Sequence, residues 1–218
     1  MIEQTYREFV MKELFVKDFF ELRNGADEFV LEEKEEDGKS ILHFSVDGKN
    51  TFAIMNVDAK NTNMGFFRGE KFLSLGKRVD HIVLEETGDN QWIAHLIEMK
   101  SGISYAEKWT EIKGKFRASY LLVQALCAML HMELLKVRMY TTFENVCLKY
   151  APENMISRRT RLGMKAEVPE EEWSGERFVL RFGNDCQLPF VHTPIQMKRN
   201  EDKILEGGFE RKINGENN

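Results

Sequence analysis

Residues 79–102 read VDHIVLEETGDNQWIAHLIEMKSG. Val79–Glu86 and Trp92–Met99 are apolar runs rich in β-branched and aromatic side chains, the composition of strands. Thr87-Gly88-Asp89-Asn90 between them is turn chemistry, so the two runs predict an antiparallel hairpin. In such a hairpin the start of the first strand lies beside the end of the second. Asp80 and Glu98, eighteen residues apart in sequence, are thereby brought together. Glu98 and Lys100 are two apart and project from one face.

Downstream, Trp109, Ile112, Phe116, Tyr120, Val123, Leu126 and Leu130 recur at spacings of three and four. That pattern predicts one long helix from Ser104 to about Leu135, with Gly114 marking a bend or a close approach. Val137–Phe143 reads as a strand leaving the helix. Residues 150–175 are polar and basic, and Arg177–Phe182 alternates like an exposed strand. Upstream, Ile2, Tyr6, Phe9, Val10, Leu14 (or Glu13), Val16 (or Lys17) and Phe20 fall near one helical stripe over 2–23, stopped by Asn24-Gly25. The acidic segment EEKEEDGKS reads as turn-like. Ile41–Val46 and Thr51–Val57 read as strands joined by a hairpin at Asp47-Gly48, and 58–77 as a loop. The expected class is mixed α/β (α+β), a central mixed sheet flanked by helices. One domain spans 1–205: a core of about 75–143, an N-terminal helix and hairpin over 1–58, and a C-terminal extension over 150–205. Residues 206–218 are expected to be a flexible tail.

The chain has 218 residues, 42% of them hydrophobic, which is enough for a sizeable core and excludes collagen-like and wholly disordered classes. Cys127, Cys147 and Cys186 are odd in number and widely spaced, which excludes a disulfide scaffold and predicts reduced, mostly buried thiols. The N-terminus lacks an uninterrupted apolar run of signal-peptide type. Ala118–Leu135 is the most apolar stretch, but Gln124, His131 and Glu133 interrupt it, so a buried helix fits better than a membrane span. A cytoplasmic protein without a membrane partner is the expectation. Net charge is -5, which by itself disfavours a nucleic-acid partner. The distribution differs: residues 108–165 hold eleven basic against four acidic side chains. SRRTRLGMK at 157–165 is the densest patch, and Arg158, Arg159 and Arg161 suit backbone phosphate contacts.

The carboxylate–carboxylate–ammonium cluster has a chemical use. Asp80 and Glu98 can hold Mg²⁺ or Mn²⁺, hard cations that take oxygen ligands, and the backbone carbonyl of Met99 can add a third oxygen. Such an ion lowers the pKa of a bound water and neutralises phosphodiester charge. Lys100 then orients the water or stabilises developing charge. The alternative is a surface ion pair at a strand end. On the helix, Lys113, Arg117, Tyr120 and Gln124 share a face, where the two cations either grip phosphates or are simply solvated. A buried Gln124 amide needs a partner, which is either the site or a backbone group. The histidines, His43, His81, His95, His131 and His192, show no metal-type spacing. His81 and His95 are expected to face away from Asp80 and Glu98. Trp92, Trp109 and Trp173 read as core or half-buried residues.

VDHIVL followed by WIAHLIEMKSG resembles the D…ExK core of the PD-(D/E)XK nuclease superfamily. The resemblance spans about 75–143. It implies a restriction-endonuclease-like sheet sandwiched between helices, and a hydrolase: a Mg²⁺- or Mn²⁺-dependent nuclease cleaving DNA in preference to RNA. By the same resemblance Asp80 and Glu98 are metal ligands, Lys100 is the catalytic lysine, and Gln124 is similar to the glutamine that RecB-like members place after ExK. The chain lacks the Pro before Asp80, and Glu8, Glu13 and Glu21 all remain candidates for the first-helix glutamate. Many such nucleases dimerise, so a homodimer is an expectation. The competing functions are a catalytically inactive module binding nucleic acid or a partner protein, and a small-molecule binder with a purely structural acidic cluster.

Overall fold

The computed structural model describes residues 6–7, 9–11, 20–24, 28–35, 38–48, 50–54, 57, 75–149, 169–182 and 186–210. The strands begin with β1 (Phe20–Asn24), β2 (Glu28–Glu35), β3 (Gly38–Ser45) and β4 (Asn50–Ile54). Next come β5 (His81–Gly88), β6 (Gln91–Glu98) and β7 (Gly102–Ile103). Helix α1 (Ala106–Met129) leads to β8 (Glu133–Phe143) and β9 (Asn145–Val146). The short helix α2 (Pro169–Trp173) precedes β10 (Val179–Arg181), β11 (Gln187–Pro189), β12 (Val191–Gln196), β13 (Lys198–Arg199) and β14 (Leu205–Glu210).

The central sheet is mixed, six-stranded and ordered β1-β4-β5-β6-β8-β12. Neighbours are antiparallel from β1 to β6, whereas β8 runs parallel to both β6 and β12. The β5–β6 hairpin forms where the turn chemistry requires it. Asp89 (φ 48) and Asn90 (φ 62) are both left-handed, the conformation a two-residue turn needs between twisted strands. The register shifts between Glu86 and Gly88, a bulge at Thr87.

Side-chain alternation along β6 sends successive residues to two cores. Trp92, Ala94 and Leu96 pack with Trp109, Ile112, Phe116 and Val123 of α1. Ile97 and Met99 pack instead with Phe29, Leu31, Leu42, Phe44 and Tyr140. The second core lies against a four-stranded sheet ordered β13-β14-β3-β2. The class is thus mixed α/β, but a helix covers one face of the central sheet and a second sheet covers the other. The expected helical sandwich gives way to three layers: helix, sheet, sheet.

Several local expectations fail for identifiable reasons. Phe20–Asn24 is strand rather than helix, because it pairs with β4 from Phe20↔Ile54 to Asn24↔Asn50. The rest of the expected first helix, apart from residues 6–7 and 9–11, lies outside the described residues, as does most of the expected loop at 58–77. EEKEEDGKS, read as turn-like, contributes the end of β2 and the start of β3, paired antiparallel up to Glu35↔Gly38, and the two residues between them, 36–37, lie outside the described residues. Phe29 and Leu31 are buried in β2 while its charged neighbours stay outward. Asp47-Gly48 is no hairpin turn either, since β3 and β4 belong to different sheets. Gly48 instead allows a close approach, because a Cβ there would lie 2.8 Å from the Glu85 Cβ. Glu206–Glu210, expected at the start of a flexible tail, belong to β14, a strand inserted between β13 and β3.

Helix α1 ends six residues early. His131 adopts φ 52, its N–H donates to Ala128 O, and Met132 N–H donates to Cys127 O at 2.8 Å. This is a Schellman termination with histidine where glycine is usual. Gly114 lies inside α1 and makes no close approach, for nothing lies within 4 Å of a Cβ built there. Among the cysteines only Cys127 is buried, while Cys147 and Cys186 are exposed; all three tryptophans are buried. No helix of the described residues is long and apolar enough to cross a membrane.

Candidate functional site

The β5–β6 register runs from Glu86↔Trp92 to His81↔Ile97, so one further step sets Asp80 opposite Glu98. Both lie on the α1 side of the sheet, the side of Ile82, Leu84 and Leu96. Asp80 is fixed from three directions. Its carbonyl accepts from Val57 N–H, the preceding Val79 N–H donates to Ser119 Oγ of α1, and Met99 N–H donates to Asp80 Oδ2 at 2.6 Å. Lys100 is held through its backbone, which donates to Thr142 Oγ1 of β8 at 2.9 Å and accepts from it at 3.2 Å.

These anchors bring four charged side chains together. Lys100 Nζ lies 3.3 Å from Glu98 Oε1 and 3.9 Å from Asp80 Oδ2, and it donates to Met99 O at 2.6 Å. Lys115, from the third turn of α1, completes the group. Its Nζ is 2.7 Å from Glu98 Oε1 and 3.6 Å from Asp80 Oδ1. Exposure is graded: the Glu98 side chain is 0% exposed, Asp80 4%, Lys100 14% and Lys115 22%. The carboxylates form the floor and the ammonium groups the mouth.

Burial dominates the electrostatics of Glu98. Loss of solvent, with the nearby Asp80 charge second, pushes its pKa up to about 7 against the pull of Lys100 and Lys115. Burial lowers the Lys115 pKa, but Glu98 and Asp80 more than offset it, and the net shift is upward. Glu98 Oε2 is buried and accepts no hydrogen bond among the described residues.

Of the residues expected from sequence, Asp80, Glu98, Lys100 and the Met99 carbonyl are gathered at one place. Gln124 is not: it is exposed and donates to Tyr120 Oη at 3.0 Å, so the buried amide that needed a site partner does not exist. Lys113 and Arg117 are engaged elsewhere. Lys113 Nζ lies 2.8 Å from both oxygens of Glu172 in α2, and Arg117 donates to Arg181 O. Tyr120 packs on Phe182 and Phe190. This edge of α1 is covered by the C-terminal extension and does not present a row of free cations to phosphate. Arg158, Arg159 and Arg161 lie outside the described residues. His95 faces the second sheet, between Tyr140 Oη and Glu85 Oε1.

Lys115, Ser119 and Thr142 were not among the expected residues. The signal for the first two is their common edge of α1, four residues apart and opposite the Lys113–Arg117 edge. Phe116 is 0% exposed. Truncating such a ring costs about 3–5 kcal/mol, a large part of a domain's 5–15 kcal/mol. That burial fixes the rotation of α1 and hence where Lys115 points.

Among the described residues no group of three or more His, Cys, Asp or Glu side chains gathers to hold a metal. The oxygen set at this site is therefore two carboxylates and a main-chain carbonyl. Comparison of the chain with protein-family models, curated proteins and solved structures returned no match.

Proposed function

We propose that the chain is a divalent-metal-dependent nuclease hydrolysing nucleic-acid phosphodiester bonds, DNA in preference to RNA. The observation that carries this reading is the convergence of Asp80, Glu98 and Lys100, with Lys100 Nζ within 3.9 Å of both carboxylates. The order of antiparallel hairpin, helix and parallel return strand over 81–143 supports a restriction-endonuclease-like core. The preference for DNA rests on the sequence resemblance alone.

The donor set suits a hard cation. Among the described residues, Asp80 Oδ1 faces only the 3.6 Å contact with Lys115, and Glu98 Oε2 is buried without a hydrogen bond. With the Met99 carbonyl these oxygens would hold Mg²⁺ or Mn²⁺, leaving positions for water. A bound ion supplies a more acidic water and neutralises phosphodiester charge. Lys100, tethered to the Met99 carbonyl, orients the attacking water or stabilises negative charge developing on the phosphate oxygens.

A second reading, an inactive nuclease-like module that binds nucleic acid or a partner protein, is favoured by one observation. Lys100 and Lys115 already neutralise both carboxylates. The deciding experiment incubates wild type, Glu98→Ala and Lys100→Ala with single-stranded, duplex and branched DNA, in Mg²⁺, in Mn²⁺ and in chelator. Metal-dependent cleavage in wild type that falls by roughly 100-fold or more in both variants is expected. Equal activity in the three preparations sinks the nuclease reading; binding without cleavage selects the module.

A further inference from the structure

Lys115 stands where a cation is required before any metal arrives. Asp80 and Glu98 are taken out of water on the same side of the sheet, and two carboxylates so placed repel one another unless positive charge lies between them. Lys100 supplies part of that charge, but its ammonium is tied to the Met99 carbonyl at 2.6 Å. Lys115 bridges the pair directly, 2.7 Å from Glu98 Oε1 and 3.6 Å from Asp80 Oδ1. Asp80 Oδ1 belongs to the set a divalent ion would take, and Oε1 shares its carboxylate with the other member, Glu98 Oε2.

We propose that Lys115 is the resident counter-ion of the Asp80–Glu98 pair, and that a divalent cation enters by displacing its ammonium. The proposal rests on the metal-dependent reading above and deepens it. The two lysines differ in tether. Lys100 follows the end of β6 and is 14% exposed; Lys115 reaches in from α1, is 22% exposed, and among the described residues no hydrogen bond to a main-chain carbonyl holds its ammonium. Its flexible four-carbon stem can swing the head to solvent while Phe116 keeps the helix seated. Once displaced, the ammonium stays at the mouth of the site, where a substrate phosphate would approach. Lys115 is thus a positioning residue that guards the carboxylates when the site is empty. Competition with it lowers apparent metal affinity, because only the fraction of molecules with Lys115 displaced is competent to bind.

The test uses the full chain at one pH. Calorimetric titration with Mn²⁺ compares wild type with Lys115→Met, and amine acylation of wild-type Lys115 is followed by mass spectrometry with and without Mn²⁺. The expected result is tighter Mn²⁺ binding by Lys115→Met, by roughly ten-fold or more, and several-fold faster acylation of Lys115 when the ion is present. A lysine that merely supported the fold would leave affinity unchanged or weaken it. If wild type binds Mn²⁺ while Lys115→Met binds it no more tightly, or Lys115 acylation does not rise, the displacement inference is overturned and the metal reading stands. If neither protein binds Mn²⁺, both fall. Should Lys115→Met not fold, the acylation rate in wild type decides alone.

Discussion

Met99 and Asp80 are joined by a 2.6 Å hydrogen bond from the main-chain amide of the one to Oδ2 of the other. It locks the end of β6 to the residue before β5 and turns the other oxygen, Oδ1, toward Lys115. Asp80→Asn keeps an acceptor for that amide but removes the charge. Because the Asp80 charge is second only to burial in raising Glu98, the Glu98 pKa falls below about 7 in this variant. Side-chain carboxyl carbon-13 shifts read the midpoint directly. An unmoved midpoint means the two carboxylates are not coupled.

Stability depends on pH with opposing signs. Burial, with Arg138 second, lowers His95 to about 3, and burial lowers His192 to about 4 against the hydrogen bond to Trp173 O. Both contribute stability that is present above the unfolded value near 6.5 and lost as pH falls through the folded value. Glu98 is raised, so its contribution is present below 4.5 and lost as pH rises through about 7. Near pH 5.5 the unfolded chain gains two histidine protons while the native Glu98 already holds one. These three groups therefore give a slope of about 1.4 kcal/mol per pH unit, and Glu98→Gln steepens it to about 2.7. Denaturant titrations at pH 5 and 6 measure the difference, and parallel slopes would refute it.

Lys113 is a structural partner of Glu172, which also accepts from Trp109 Nε1 at 3.2 Å. Both side chains are largely buried, at 11% and 8% exposure. Lys113→Met leaves the Glu172 charge with one neutral donor and costs about 3 kcal/mol. Chemical denaturation should register the loss. A variant as stable as wild type would return Lys113 to the pool of available cations.

Two glycines predict opposite outcomes. Gly114 lies inside α1 with open space where a Cβ would be, so Gly114→Ala adds about 0.5–1 kcal/mol of stability. Gly175 has φ 85, and a Cβ there would meet His192 O at 2.5 Å. Gly175→Ala costs about 2 kcal/mol or more through strain and clash. Thermal melts of the pair settle both signs at once.

The site's floor was legible because two short-range rules fix it: turn residues set the hairpin, and the period of two sets which side chains share a face. Lys115 was not, for a reason intrinsic to helices. A helix buried along one stripe has two polar edges, and periodicity does not say which borders the strand end that carries Glu98 and Lys100. Here the Lys115–Ser119 edge does, while the Lys113–Arg117 edge lies under the C-terminal extension. The second sheet was equally hidden. β2 alternates, but glutamates crowd its outward positions and obscure Phe29 and Leu31. β14 has no local signal at all, since its partner β3 lies more than 150 residues earlier. The helix end was misjudged because His131 occupies a position where glycine would have announced it.

That pairing of β14 with β3, from Leu205↔Ser40 to Glu210↔Ser45, separates where the chemistry is encoded from when the molecule is complete. All four charged groups of the site lie between residues 80 and 115 and are synthesised together. The edge of β3 nevertheless stays unpaired until residues 205–210 have left the ribosome, because non-local strand pairing waits for its last partner. A chain that stops before Leu205 carries every charged residue of the site but leaves β3 a bare edge, so its expected fate is self-association and not slow catalysis.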